Sequence, residues 1–169
     1  ADKGMAGKPL RVMVVGIPNT GKSSFINRMA GKYRAKVADK PGVTRGNQWF
    51  AIGSGIELLD TPGVLWPKFE DPQVGLKLAF IGSIKETTLD IQELAVSLLS
   101  VMQKNYPDRL EQRYKVADVQ DVQEPYELLE MIAAKRGMLL RKGEYDTERA
   151  AVMLLDEYRS GKLGKITLD

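Results

Sequence analysis

Leu10-Arg11-Val12-Met13-Val14-Val15-Gly16-Ile17-Pro18-Asn19-Thr20-Gly21-Lys22-Ser23-Ser24-Phe25-Ile26-Asn27-Arg28-Met29-Ala30-Gly31 is the stretch on which the reading of the chain turns. Leu10 to Val15 is apolar except for Arg11, the pattern of a strand buried on both faces of a parallel sheet. From Lys22 onward, Phe25, Ile26, Met29 and Ala30 recur at helical spacing, and Gly31 is placed to cap the helix. Between them, Gly16 to Ser23 matches G-x-x-x-x-G-K-[ST], which in a strand-loop-helix context is a phosphate-binding loop. Its glycines let backbone N–H groups turn toward phosphate oxygens, and the helix start adds the positive end of its dipole. Lys22 is then expected on the β- and γ-phosphates and the Ser23 hydroxyl on magnesium. A chance Gly-rich turn beside an exposed lysine is the competing explanation.

Two segments downstream bear on that choice. Pro41-Gly42-Val43-Thr44 offers a threonine hydroxyl, and Asp60-Thr61-Pro62-Gly63 places a carboxylate at the end of a short apolar run, Ile56 to Leu59. A hydroxyl that closes on metal and γ-phosphate, and a carboxylate that holds metal-bound water, are recurring parts of phosphoryl transfer. Alone, Thr44 reads equally well as an ordinary loop threonine. Trp49 to Ile52 and Ile56 to Leu59, separated by Gly53-Ser54-Gly55, predict an antiparallel hairpin.

Beyond Pro72 the strand signals fade. Ile91, Leu94, Ala95, Leu98 and Met102 mark a long amphipathic helix with Asp90 and Glu93 as its capping pair, and further helices are expected from about Pro125 to Arg136 and from Thr147 to Ser160. The expected class is therefore α/β: the phosphate-binding part of a doubly wound sheet over residues 1–72, then a small all-helical domain over residues 73–169.

Composition narrows the chemistry. The 169 residues, 43% apolar, suffice for one domain and a modest second. With no cysteine and no histidine, disulfides, thiolate metal sites, thiol nucleophiles and imidazole bases are excluded. Hydrolysis here has to rest on electrostatics and positioning. No apolar run approaches the roughly 20 residues of a membrane span, and Ala1 to Lys8 lack the core of a signal peptide, so no membrane partner and a cytoplasmic address are expected. Up to Gln73 there are 11 Lys and Arg against 6 Asp and Glu, and beyond it 14 against 16. A basic front half suits a phosphate-rich partner, and an ordinary solvated surface accounts for it as well.

The phosphate loop with Asn19, the Pro41-to-Thr44 segment, and Asp60-Thr61-Pro62-Gly63-Val64-Leu65-Trp66-Pro67-Lys68-Phe69 together resemble the YlqF/RbgA family of circularly permuted ribosome biogenesis GTPases. The likeness runs on through Tyr106-Pro107-Asp108-Arg109-Leu110 and Lys135-Arg136-Gly137. It implies a GTP-binding and GTP-hydrolysing switch that acts in assembly of the large ribosomal subunit, with a precursor of that subunit and its rRNA as partners. GTP or GDP and Mg2+ are the implied ligands, with K+ beside them. Pro18, Asn19, Thr20, Gly21, Lys22, Ser23, Ser24, Thr44 and Gly63 would line the nucleotide, and Lys22, Thr44 and Gly63 would carry the hydrolytic role. Ser23, Thr44 and Asp60 would hold Mg2+, and Asn19 resembles the asparagine that ligates potassium in cation-activated GTPases; a loop-stabilising role is its alternative.

No Asn/Thr-Lys-x-Asp guanine-reading motif follows Gly63. In the permuted family that motif lies upstream of the phosphate loop, so the chain is expected to be a truncated piece, inactive alone and with little preference for GTP over ATP. Val64 stands where many GTPases carry a water-orienting glutamine, which implies that the catalytic group comes from elsewhere: a histidine nearer the N-terminus or a ribosomal group. Trp66 and Phe69 read either as core or as a switch segment that docks a partner. Lys135-Arg136 and Arg141-Lys142 are candidates for rRNA phosphates, or simply solvated charge. The competing functions are an ATP-binding kinase or ATPase, since the loop does not choose its base, and an rRNA-binding module without activity.

Overall fold

The computed structural model describes residues 8–31, 42–53, 55–66, 68–84 and 90–168. The chain divides into two compact units, Ala1–Glu70 with Gly82–Ile84, and Asp71–Ile81 with Lys85–Asp169. None of the helices among the described residues is long and apolar enough to cross a membrane.

The first unit is α/β, built on a small mixed sheet. Strand β1 (Leu10–Val14) runs parallel to β3 (Ile56–Asp60), with Val14 opposite Asp60, and β2 (Gln48–Ile52) pairs antiparallel with β3 on its other side, giving the order β1-β3-β2. The hairpin expected from the Gly53-to-Gly55 turn is the β2–β3 pair. Helix α1 (Lys22–Ala30) opens from Gly21 and closes on Gly31, both in the left-handed region at φ 83° and 62°, where a residue without Cβ avoids strain. It lays Ile26 against Phe50 and Leu58, with Val14, Ile52 and Ile56 packed around them.

Two expectations need correction here. The β1 strand is not buried on both faces: it sits at an end of the sheet, and Leu10, Met13 and Val15 are 60% or more exposed. An unbroken apolar run reports hydrophobicity without reporting what covers it, and among the described residues the buried Ile26 of α1 packs on Phe50 of β2 and Leu58 of β3. On α1 itself, Phe25 and Met29 are half exposed, so the buried face is narrower than the apolar spacing implied.

The second unit holds α2 (Pro72–Phe80), α3 (Ile91–Asn105), α4 (Pro107–Tyr114), a 3-10 turn at Val119–Asp121, α5 (Pro125–Lys135) and α6 (Thr147–Arg159). Leu94, Leu98 and Met102 of α3 meet Leu128 and Ile132 of α5 and Leu154 of α6 in a dry core. Asp90 caps α3 by accepting from the N–H groups of Gln92 and Glu93 at 2.8 and 3.1 Å, which supplies partners for two of the orphan donors of a helix start. Arg159 donates to the carbonyls of Ala79 and Phe80, both at 2.9 Å, and so closes the C-terminal end of α2. Helices α2 and α4 are not marked in the sequence reading: α4 is only eight residues long, and α2 carries Gly75 in its middle. The unit is also not wholly helical: Leu139 and Tyr145 form an antiparallel bridge around a tight turn.

Candidate functional site

Gly16 to Ser23 leaves the C-terminal end of β1 and enters α1, so the strand end, the loop and the helix N-terminus meet at one place. Within the loop, Asn19 is left-handed at φ 59°. The Ile17 carbonyl accepts from both the Thr20 hydroxyl and the Lys22 ammonium, each at 2.8 Å. Burial lowers the Lys22 pKa from its ordinary value, and the Asp60 charge works in the opposite sense. Ser24 follows in the first turn of α1 and is exposed.

At the end of β3, in register with the end of β1, Asp60 is 1% exposed. Its Oδ2 accepts from the Ser23 hydroxyl at 2.8 Å and the Thr44 hydroxyl at 3.3 Å, and those two hydroxyls lie 3.1 Å apart. Its Oδ1 is buried without a hydrogen-bond partner among the described residues. Three residues that sequence reasoning joined only by motif order, Ser23, Thr44 and Asp60, thus form one triangle. Pro41, the first residue of the Thr44 segment, and Pro67 lie outside the described residues.

This donor set fits magnesium. A buried carboxylate oxygen left unpaired is costly, and a hard cation takes oxygen donors, of which one carboxylate and two hydroxyls meet here. Among the described residues no group of three or more His, Cys, Asp or Glu side chains gathers as a metal site, here or elsewhere.

Gly63 closes the other side of the loop. A Cβ on it would lie 2.4 Å from the Cα and N of Pro18 and 2.9 Å from the carbonyl carbon of Ile17, so only glycine allows this approach. The next N–H, of Val64, points to the Gly16 carbonyl at 3.4 Å. The Val64 side chain is 74% exposed and borders an apolar hollow of about 390 Å3 shared with Val15, Ile17 and Pro62. Trp66 is 67% exposed and is therefore not a core residue of its unit, whereas Phe69 is half-buried.

Two hydroxyls at the site were missed from sequence. Thr61 donates to the Val14 carbonyl at 2.7 Å and ties the ends of β3 and β1 together; its place directly after Asp60 was the available signal. Ser83 donates to the Pro18 carbonyl at 2.6 Å from 65 positions away, and nothing local marks it.

Residues 11–136 match the family described as 50S ribosome-binding GTPase. Ribosome biogenesis GTPase A of Bacillus cereus is 46% identical over 167 residues, covering 99% of this chain and 56% of its own length. The protein of that name in Thermotoga maritima is 32% identical, covering 94% of this chain and 56% of its own length. The chain spans about half the length of the curated relatives it matches. Among solved structures, GNP-bound YlqF from T. maritima superposes with a TM-score of 0.59 at 29% identity, covering 94% of this chain and 58% of that one. A GDP-bound YlqF gives the same score at 28% identity and 95% and 60% coverage. With a phosphate loop between strand and helix, a buried aspartate at the neighbouring strand end and a family match over residues 11–136, the chain belongs to the 50S ribosome-binding GTPase family.

Proposed function

We infer that the intact protein binds and hydrolyses GTP as a switch in assembly of the large ribosomal subunit. The observation that carries this reading is the convergence of Ser23 and Thr44 on buried Asp60, with one carboxylate oxygen unpartnered, beside a loop that carries Lys22. Ser23, Thr44 and Asp60 hold Mg2+ in this reading. The ion, when bound, neutralises charge on the β- and γ-phosphates. Lys22 exchanges the Ile17 carbonyl for phosphate oxygens, and its partial burial strengthens that charge-assisted contact. The backbone from Pro18 to Ser24 lines the phosphates. Thr44 and Gly63 report the γ-phosphate, one through its hydroxyl and the other through its backbone.

Asn19 is assigned to a potassium ion next to the phosphates. Val64 has no group to orient water, so the water-positioning group comes from another segment or from the ribosome. The ribosomal role is supported by the names of the relatives, ribosome biogenesis GTPase A, and a cytoplasmic address goes with that reading. For rRNA contact, Arg141 and Lys142 are the better basic pair: both are exposed at the tip of the Leu139–Tyr145 turn. Arg136, by contrast, stacks over the Tyr114 ring at 5.4 Å and lies 3.8 Å from Glu157.

Titration of the intact protein with fluorescent GTP and ATP, with and without Mg2+, tests the reading. Magnesium-dependent binding of GTP and hydrolysis stimulated by large-subunit precursors support it. A tenfold preference for ATP would replace it with the kinase or ATPase alternative, and subunit binding indifferent to nucleotide would leave only the RNA-binding module. Residues 1–169 alone, lacking an Asn/Thr-Lys-x-Asp segment, are expected to discriminate GTP from ATP by less than about tenfold.

A further inference from the structure

Three consecutive carbonyls of the phosphate loop each have a partner. That of Gly16 faces the Val64 N–H at 3.4 Å, and that of Ile17 accepts from Thr20 and Lys22. Both draw on residues inside the recognised motifs. The third, Pro18, is held from outside them: it accepts from the hydroxyl of Ser83 at 2.6 Å. Ser83 is 1% exposed and follows Gly82, whose φ of 70° turns the chain, and Gly82–Ile84 belong to the phosphate-loop unit.

We propose that Ser83 is a positioning residue for nucleotide binding, acting through the Pro18 carbonyl. Gly63 presses on Pro18 from one side, where no Cβ fits. Ser83 fixes the carbonyl of the same residue, so Pro18 is held between two segments distant in sequence. Beyond it, Asn19 is left-handed at φ 59°, a conformation that asparagine adopts more readily than other non-glycine residues and that a fixed preceding residue helps to keep. The hydroxyl therefore pre-sets the turn from which the N–H groups of Thr20 to Ser23 face the phosphates, and without it the loop has to be ordered by the nucleotide itself.

This inference rests on the nucleotide reading of the loop, and the experiment separates the two. Release of a fluorescent methylanthraniloyl-GDP is measured by stopped flow from the intact wild-type protein, Ser83→Ala, Ser83→Thr and Lys22→Ala, alongside nucleotide-free thermal melting. Ser83→Ala should melt close to wild type and release the nucleotide about 3- to 10-fold faster, the range set by one net hydrogen bond. Ser83→Thr, which keeps the donor, should restore slow release. Failure of the wild type to bind GDP refutes the nucleotide reading itself. If the wild type binds and Ser83→Ala releases within twofold of it, the role of Ser83 falls. It falls equally if Ser83→Ala does not fold, which would make Ser83 a packing residue, or if Ser83→Thr is as fast as Ser83→Ala, which would show that the hydroxyl is not the cause.

Discussion

Replacing Gly63 with alanine adds a single methyl group at the tightest backbone approach of the site. That Cβ would stand 2.4 Å from two backbone atoms of Pro18 and 2.9 Å from a third atom in Ile17, where ordinary contact begins at 3.4 Å. The two segments must therefore part by about 1 Å, because backbone atoms have no rotamer into which to retreat. The phosphate loop has little room to give: Ser83 holds the Pro18 carbonyl, and Thr20 and Lys22 hold that of Ile17. Overpacking of this kind costs about 1–3 kcal/mol, and against two braced segments the upper end is expected. A displacement of about 1 Å at a reacting centre also lowers turnover on the order of 100-fold. In the intact protein, Gly63→Ala should lower the melting midpoint by several degrees and reduce single-turnover GTP hydrolysis at least about tenfold. Val64→Ala, at a side chain 74% exposed, serves as control and should melt like wild type. A Gly63→Ala protein that melts within about 1 °C of wild type and hydrolyses GTP within about twofold of it would refute the steric clamp.

Lys22→Ala should weaken GTP binding by about 10- to 100-fold, the value of one charge-assisted contact to phosphate; unchanged affinity in a fluorescent-nucleotide titration would remove Lys22 from the phosphates. Hydrolysis in the presence of ribosomal subunits should run faster in potassium than in sodium, and Asn19→Ala should abolish the difference. Equal rates for the wild type in both salts would leave Asn19 as a loop residue. In the helical unit, Glu157 is buried and accepts from Arg113 through both carboxylate oxygens. These hydrogen bonds hold its pKa below the ordinary carboxylate value. The stabilisation is therefore present above the unfolded glutamate pKa of about 4.3 and fades as pH falls through the depressed folded value. Glu157→Gln should lower the melting midpoint at pH 7 and converge with wild type in strong acid, and a gap independent of pH would disprove the linkage.

The residues that announce this protein do so through local chemistry. Glycines at 16 and 21, a lysine and a serine in fixed spacing between a strand and a helix need no tertiary context to suggest a phosphate cradle, because the loop makes its own N–H array. Gly31 and Asp90 were legible for the same reason, since a cap acts within one turn of its helix. Thr44 was not decidable in that way. Its hydroxyl acquires meaning only because β2, which follows it, pairs antiparallel with β3 and sets Gln48 opposite Asp60, so that Thr44 comes within 3.3 Å of a carboxylate 16 residues further on. Gly63 could be read as part of a motif but not as a contact, for the missing Cβ matters only once Pro18 is packed against it. Ser83 left no local trace. The exposure of β1 was misread because an apolar run records hydrophobicity, whereas coverage is decided by which elements pack on each face. Sequence by itself thus determined the chemistry that nearby residues can build. The tertiary fold alone decided which distant oxygens converge on Asp60 and what clamps the loop, because those depend on distances in space that spacing along the chain does not encode.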